Sequence, residues 1–198
     1  MNKPVIVVHY HELWLKGRNR DFFLSKLTLA LRRALDGLSL ARIGRPGDRL
    51  LIELDDAAHL PEAIERVKRV SGISSFAVAR PVERDLDALC RAAWEEVAPE
   101  KFSSFAVRAK RSDKSFPQNV VEIERTVGGY LLDHLRAAGR NVRVNLDDPE
   151  LTCRIEIPPG PSALVFARRI PGPGGLPPNT AGRMLCLLSG GFDSAVAA

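Results

Sequence analysis

The sequence predicts an α/β protein of the α+β type, built from two consecutive modules. Short runs rich in β-branched residues, such as residues 4–10, are typical of strands. Between them lie segments with an apolar residue every three or four positions, which is the spacing of an amphipathic helix. Over residues 1–81 the two kinds of segment follow the order βαββαβ, which is that of a ferredoxin-like domain.

The first module contains four expected strands and two expected helices. Asn19 can cap the first helix, because its side chain accepts hydrogen bonds from the free N–H groups of a helix start. Asp36-Gly37 ends that helix, and Pro61 suits the first position of the second, which stops at Ser71-Gly72. The expected strands are 4–10, 38–44, 49–54 and 73–80, and the first helix is 20–36, striped by Phe23, Leu27, Leu31 and Leu35.

The second module is also α/β. Its first central strand alternates, with Phe105 and Val107 on one side and Arg108 on the other. Leu151 to Ile157 alternate in the same way, which places Thr152, Arg154 and Glu156 on the outer face. The expected helices are 85–97 and 120–138, and the expected strands are 104–110, 142–146, 151–157 and 163–168.

Residues 170–183 are rich in proline and glycine, a composition that does not hold a helix or a central strand. The apolar run Met184 to Leu188 follows and predicts a buried strand. We therefore expect a first domain over 1–81, a second over 82–169, a linker over 170–183 and the start of a third domain over 184–198.

Composition excludes several classes of protein. The formal net charge of +5 is compatible with an anionic partner. The sequence has neither an apolar run long enough for a membrane span nor a secretory signal, so we expect a cytoplasmic protein with no membrane partner. The cysteines form no CxxC or Cys/His pattern, and the four histidines lack ligand spacing, so no metal site is expected. Cys90, Cys153 and Cys186 are expected to be structural.

The last expected strand leads into a turn, Ser189-Gly190-Gly191-Phe192-Asp193-Ser194, and then into a helix start. Glycines let a backbone approach a ligand closely, and the free N–H groups of a helix N-terminus favour anions. Ser189 and Ser194 would hydrogen-bond phosphate oxygens. Asp193 has the charge of a phosphate, so it suits a magnesium ion, a cationic neighbour or a helix cap. A glycine turn without a ligand is the alternative.

This turn resembles the pyrophosphate-binding loop of the PP-loop ATP pyrophosphatases. The resemblance implies a doubly wound catalytic domain that uses ATP and Mg²⁺. A doubly wound sheet builds its ligand site from several strand ends, and only one such strand is expected here, so we expect an incomplete catalytic domain. The implied ATP and pyrophosphate site comprises Leu187 and Leu188, through their main chain, with Ser189, Gly190, Gly191, Phe192, Asp193 and Ser194.

Cations cluster at two places. The segment from Lys101 to Pro117 combines exposed Lys and Arg, which suit phosphates, with phenylalanines, which could stack on unpaired bases. A solvated basic strand edge is the alternative. The second cluster precedes the first helix, where a basic capping loop is the alternative, and Arg125 suits either phosphate or a neighbouring acid. The candidate RNA-binding residues are Lys16, Arg18, Arg20, Arg108, Lys110, Arg111, Lys114, Phe116 and Arg125.

Two longer motifs resemble one family, the tRNA 4-thiouridine synthetases, or tRNA sulfurtransferases. Tyr10 to Arg20 is similar to the family's N-terminal signature, although His11 stands where glycine is usual. Lys110-Arg111, Lys114, Phe116-Pro117 and Glu122 to Gly129 are similar to its THUMP domain. The order of ferredoxin-like, THUMP and PP-loop segments is more specific than any single motif.

The resemblance implies that the first two domains bind tRNA near its acceptor end. The PP-loop domain would use ATP to adenylate the uridine at position eight, and a cysteine persulfide charged by a cysteine desulfurase would deliver sulfur. The catalytic cysteine is not expected within these residues. The family is also linked to thiamine thiazole synthesis, and a homodimer is left open.

Two other functions remain open from the sequence. One is a stand-alone, non-catalytic THUMP module that binds RNA. The other is a PP-loop enzyme that acts on a small molecule, which would leave the first 170 residues without a role.

Overall fold

The computed structural model describes residues 3, 5–10, 19–182, 187 and 189–197. Within these residues, nine strands form one continuous sheet of order β2-β3-β1-β4-β8-β7-β5-β6, with β9 attached to β4. No helix in the described part of the chain is long and apolar enough to cross a membrane.

The N-terminal domain has the expected βαββαβ order. Antiparallel pairing places β1 between β3 and β4, and α1 and α2 cover one face of this sheet. A short 3₁₀ turn, Ala57–His59, precedes α2. The elements are β1 (Val5–His9), α1 (Arg20–Ala34), β2 (Leu40–Gly44), β3 (Leu50–Leu54), α2 (Leu60–Val67) and β4 (Ser75–Val82).

Helix α1 shows where local signals were incomplete. It starts at Arg20 as expected, but the Asn19 side chain makes no capping hydrogen bond, because Asn19 has φ −89° and ψ 3° instead of the extended backbone of a capping residue. The expected apolar stripe is buried from Phe23 to Leu31. Gly37, with φ +80°, then takes the left-handed conformation that follows a helix end.

The second domain packs two helices on the remaining strands. Its core joins apolar side chains of α3 and α4 to those of β5 and β7, and β5 runs parallel to both β6 and β7. Only two residues of the expected strand 142–146 pair. The elements are α3 (Leu86–Val97), β5 (Ser104–Arg111), α4 (Val120–Ala137), β6 (Arg143–Val144), β7 (Leu151–Ile157) and β8 (Ala163–Phe166).

Strand β4 belongs to both domains. Its first five residues pair with β1, and Arg80 to Val82 pair with β8. The boundary expected after residue 81 therefore falls inside one strand. On the face away from the helices, β1 and β4 bury a separate apolar cluster with β8, formed by Val5, Val7, Ala77, Ala79, Leu164 and Phe166.

The proline- and glycine-rich segment differs from a free linker. Ile170–Pro171 form β9, which pairs antiparallel with Phe76 and Ser75 at the start of β4. Proline is tolerated because β9 is a two-residue edge strand.

The last described element is α5 (Phe192–Ala197). The strand expected over Met184–Leu188 falls mostly outside the described residues. Leu187, the member of it that is described, lies outside any strand and is 85 % exposed.

Candidate nucleic-acid interface and phosphate loop

The C-terminal half of β5 presents cations to solvent. Arg108 and Lys110 are exposed and alternate with Ala109, which is half-buried. The Arg108 guanidinium donates a hydrogen bond to the carbonyl of Leu146. Lys110 forms an ion pair with Asp48 of the N-terminal domain. Both side chains are therefore held in place.

The loop after β5 is closed by Arg111. Its guanidinium donates hydrogen bonds to the carbonyls of Phe116 (2.8 Å) and Gln118 (3.0 Å), which joins the two ends of the loop. Within the loop, the Ser115 amide donates to Asp113 at 2.9 Å, and this hydrogen bond lowers the pKa of Asp113. Arg111 thus acts as an internal support, with its N–H groups directed at the loop backbone.

Phe116 does not offer a stacking face, which corrects the expectation from the sequence. Its side chain is 2 % exposed and packs in the core of the second domain. The ring faces inward because the loop turns back toward α4, where Arg111 holds it. Phe116 is therefore removed from the candidate RNA contacts.

The start of α4 fixes the other end of the loop. Asn119 and Glu122 form a capping box, which satisfies free N–H groups of the helix start. The Glu124 carboxylate accepts a hydrogen bond from the Ala109 amide at 2.8 Å and ties α4 to β5. Both glutamates are structural, and Arg125 lies beside them on the exposed surface.

The structure divides the predicted cations into three groups. Lys114 and Arg125 are exposed and have no hydrogen-bond or ion-pair partner among the described residues, so they can bind phosphate without losing one. Arg108, Lys110 and Arg111 contact the protein itself. Arg20 begins α1 in the other domain and is half-buried, whereas Lys16 and Arg18 lie outside the described residues.

A buried ionic cluster joins the two domains, and the sequence did not predict it. Glu156 of β7, expected on an outer face, is 8 % exposed. Its carboxylate accepts a hydrogen bond from Arg49 Nε at 2.9 Å and lies 2.9 Å from His9 Nε2. Alternation along β7 shows which face Glu156 occupies but not that the N-terminal domain covers that face.

The protonation states follow from burial and charge. Burial alone would raise the pKa of Glu156, but hydrogen bonding and the charges of His9 and Arg49 lower it to about 2. Burial lowers the pKa of His9, although Glu156 opposes this shift. At neutral pH we therefore assign an ionised Glu156 and a neutral His9 whose Nε2–H donates to the carboxylate; His9 becomes charged only at lower pH, where its charge opposes protonation of Glu156.

The turn at residues 189–194 closes on itself through two serines. The Ser189 amide donates to Ser194 Oγ at 3.1 Å, and the two hydroxyl oxygens lie 3.3 Å apart. Gly190 is exposed, and a Cβ added there would meet no atom within 4 Å. The Ser194 hydroxyl donates to the carbonyls of Gly191 (2.9 Å) or Ser189 (3.1 Å), so it is engaged with the backbone of the turn. Phe192 is 92 % exposed, Asp193 lies in the first turn of α5, and Leu188 is outside the described residues.

The described cysteines lie away from solvent. Cys90 and Cys153 are buried and free. Burial raises the pKa of both thiols, that of Cys153 to about 12, so neither is a nucleophilic thiolate at neutral pH. Cys186 lies outside the described residues. No cluster of His, Cys, Asp or Glu in the described part of the chain could hold a metal ion.

Comparisons with known protein families agree with both domains. Residues 5–77 match the ThiI ferredoxin-like domain, and residues 83–160 match the THUMP domain. The chain therefore contains a ThiI-type ferredoxin-like domain followed by a THUMP domain. The expected ferredoxin-like and THUMP folds are thereby confirmed.

The relatives of these ThiI-type domains are longer proteins. A "Probable tRNA sulfurtransferase" of Thermus thermophilus is 42% identical over 198 residues, which are 100% of this chain and 47% of that protein. One of Alkaliphilus oremlandii is 35% identical, with 98% of this chain and 49% of the relative covered. The chain thus spans about half the length of these curated relatives.

Solved structures show the same arrangement. A 4-thiouridine synthetase in complex with RNA and bound ATP has a TM-score of 0.77 and 29% identity, with 98% of this chain and 48% of that one covered. A Pyrococcus horikoshii protein has a TM-score of 0.83 and 30% identity, with 98% and 63% covered.

Proposed function

We propose that this chain is the N-terminal, tRNA-binding half of an ATP-dependent tRNA sulfurtransferase that makes 4-thiouridine. One observation carries the proposal: a ThiI-type ferredoxin-like domain, a THUMP domain and an SGGFDS turn follow one another in a single sequence. Similarity to the T. thermophilus protein named a tRNA sulfurtransferase extends over the whole chain.

In this proposal, the β5–α4 loop contacts the tRNA backbone. Lys114 and Arg125 would neutralise phosphates, since both side chains are exposed and unengaged among the described residues. Lys110 would contact the backbone from a fixed position beside the loop, where Asp48 balances its charge. RNA helices are recognised largely through phosphates and 2′-hydroxyl groups, which suits such a cationic surface.

The proposed reaction adenylates the uridine at position eight and releases pyrophosphate. Adenylation makes the uridine carbonyl oxygen part of an AMP leaving group. The terminal sulfur of a persulfide would displace AMP from the ring carbon, and a second thiol that attacks the sulfur–sulfur bond would free 4-thiouridine and leave a disulfide. Ser189, Ser194 and the turn between them would hold the departing pyrophosphate, with Asp193 near Mg²⁺. A cysteine desulfurase as sulfur donor, a homodimeric enzyme, a role in thiamine synthesis and a cytoplasmic location belong to the same proposal.

Binding to unmodified tRNA over a salt series tests this function. Acceptor-end minihelix and an unrelated RNA hairpin serve as competitors. We expect preferential binding of tRNA and minihelix, with affinity that falls as salt rises because counterions are released. Equal, weak binding of all three RNAs would contradict the proposal. In the complete enzyme, tRNA-dependent pyrophosphate release and 4-thiouridine formation are expected.

A further inference from the structure

The segment between the THUMP domain and the phosphate loop is attached to the ferredoxin-like domain. We call residues 170–177 the strap. Beyond the β9–β4 pairing, the Gly172 amide donates to the carbonyl of Ser74 at 3.1 Å. The Gly174 amide donates to Ile73 O at 2.8 Å, and Gly174 O accepts from Gly72 N at 2.7 Å. Backbone hydrogen bonds therefore hold the strap along residues 72–76.

Two glycines allow this close approach. A Cβ added at Gly172 would lie 2.3 Å from the carbonyl oxygen of Ile73, which no side chain can tolerate. A Cβ added at Gly72 would lie 2.9 Å from Cγ of Pro177. Gly172 of the strap thus lies against Ile73 of the domain, and Gly72 of the domain lies against Pro177 of the strap. Both distances are too short for a residue with a Cβ atom.

Apolar contacts complete the attachment. Ile170 and Leu176 pack against the core of the ferredoxin-like domain, and Pro177 is buried. Hydrogen bonds at one edge and apolar anchors at both ends are what an ordered segment needs to offset its loss of conformational entropy.

We propose that the strap positions the phosphate loop relative to the ferredoxin-like domain; the catalytic part of this proposal rests on the proposed function. Ser189 follows Pro177 by 12 residues but follows Phe166 by 23. With the strap docked, Pro177 is the last attached residue, and the loop lies within about 40 Å of it. With the strap released, Phe166 is the last attached residue, and the loop can lie up to about 80 Å from Phe166. Effective concentration falls as roughly the −3/2 power of tether length, so release lowers it about threefold.

Gly172→Ala and Leu176→Ser test the strap from its own side, because both variants leave the ferredoxin-like domain unchanged. Gly72→Ala tests it from the domain side. Gly37→Ala is the matched control for Gly72→Ala, since Gly37 has φ +80° against +96° for Gly72, and a Cβ there meets no atom within 4 Å. The control has the same backbone strain without the clash with Pro177.

Two measurements follow strap docking without depending on tRNA. In the Gly172→Ala variant of this chain, the amide hydrogens at positions 172 and 174 are expected to exchange faster than in wild type. The amide hydrogens of β1 are expected to stay as protected as in wild type. In the complete enzyme, spin labels at the exposed positions Ser25 and Ala195 report the distance from α1 to the phosphate loop. We expect a broader distance distribution in the strap variants than in wild type or Gly37→Ala. An unchanged distribution overturns the proposal.

The same variants separate the strap from the proposed function. We expect tRNA affinity within about twofold of wild type and tRNA-dependent pyrophosphate release at least about threefold slower. Normal release despite a broadened distribution would overturn the catalytic part of the strap proposal. A wild-type enzyme that fails to bind tRNA would contradict the proposed function instead, and the distance distribution would still decide whether the strap positions the loop.

Discussion

Among the described residues, Glu156 is the buried carboxylate in the ionic contact between the two domains, and the Lys110–Asp48 pair is a second, more exposed contact. Glu156 lies among His9 and Arg49 of the ferredoxin-like domain although 107 residues separate it from Arg49. A buried charge is tolerated when it is paired and hydrogen-bonded, and removal of one partner leaves the other charge without compensation. Glu156 thus fixes which surfaces of the two domains meet.

His9 predicts how stability depends on pH. Burial lowers the pKa of His9 in the folded protein below its ordinary value of 6.5. Between 6.5 and that lowered pKa, His9 therefore binds a proton more readily in the unfolded chain than in the folded one. Stability should therefore fall as pH decreases through this window, by up to about 1.4 kcal/mol per pH unit. Glu156 does not change stability in this pH window. Its pKa in the folded protein is about 2, so the stability that its ionised form contributes is lost only at lower pH.

Urea unfolding between pH 5 and 7.5 checks this prediction. His9→Gln keeps an N–H donor for Glu156 but does not titrate, so its stability should change less with pH than that of wild type. His59→Gln is the control, because His59 lies outside the buried cluster and is not among the contacts of Glu156. A pH dependence of His9→Gln equal to that of wild type would contradict the assignment.

We expect substitutions of Phe116 to affect the stability of the protein but not its affinity for RNA. Its ring is buried, so Phe116→Ala should lower the free energy of unfolding by about 3–5 kcal/mol. Phe116→Leu retains most of the apolar volume and should bind tRNA with wild-type affinity, because the ring does not contact RNA. Chemical denaturation and a binding titration measure the two quantities. A loss of affinity in a stable Phe116→Leu protein would restore the stacking role.

The loop between β5 and α4 is the element through which phosphate binding should be measured. Replacing Lys114 or Arg125 by alanine should flatten the slope of log affinity for tRNA against log salt by about one unit, because each variant removes one cation that neutralises a phosphate. Arg91→Ala is the matched control, since Arg91 is an exposed arginine on α3, in a groove where glutamates balance the Lys and Arg side chains and leave no excess positive charge. If neither loop variant alters the slope, the β5–α4 loop does not bind the tRNA backbone.

Helices and strands were largely predictable because their signals are local. Helix α4 spans Val120–Ala137 against an expected 120–138. Strand β7 matches its expected bounds of 151–157. Strand β9 was missed because its partner, Phe76, lies 94 residues earlier, and pairing at that separation has no local pattern.

The candidate interface was predictable only in part for the same reason. Sequence identifies Lys114 and Arg125 as cations in a loop and on a helix, and the structure leaves both exposed. Whether a cation pairs with another part of the protein depends on which distant segment folds against it. Lys110, for example, contacts Asp48 in a turn 62 residues earlier. The inward face of Phe116 likewise depends on the path of the loop.

At the scale of the whole molecule, the ferredoxin-like and THUMP domains share structure that two independent domains would not share. Strand β4 contributes to both halves of the sheet, and Phe166 of the THUMP domain is buried against β1 and β4. Interfaces between domains of one chain are ordinarily more polar and permit relative motion. An apolar cluster and a shared strand instead favour one cooperative unit.

Cooperative unfolding is therefore expected for the two domains together. Phe166→Ala should remove about 3–5 kcal/mol from the free energy of unfolding, because it leaves a cavity in the cluster between the domains. The unfolding transition should remain single, and the slowest-exchanging amides of β1 and β7 should lose the same opening free energy. If β7 amides alone were affected, or if two transitions separated, the domains would unfold independently and the shared strand would not couple them.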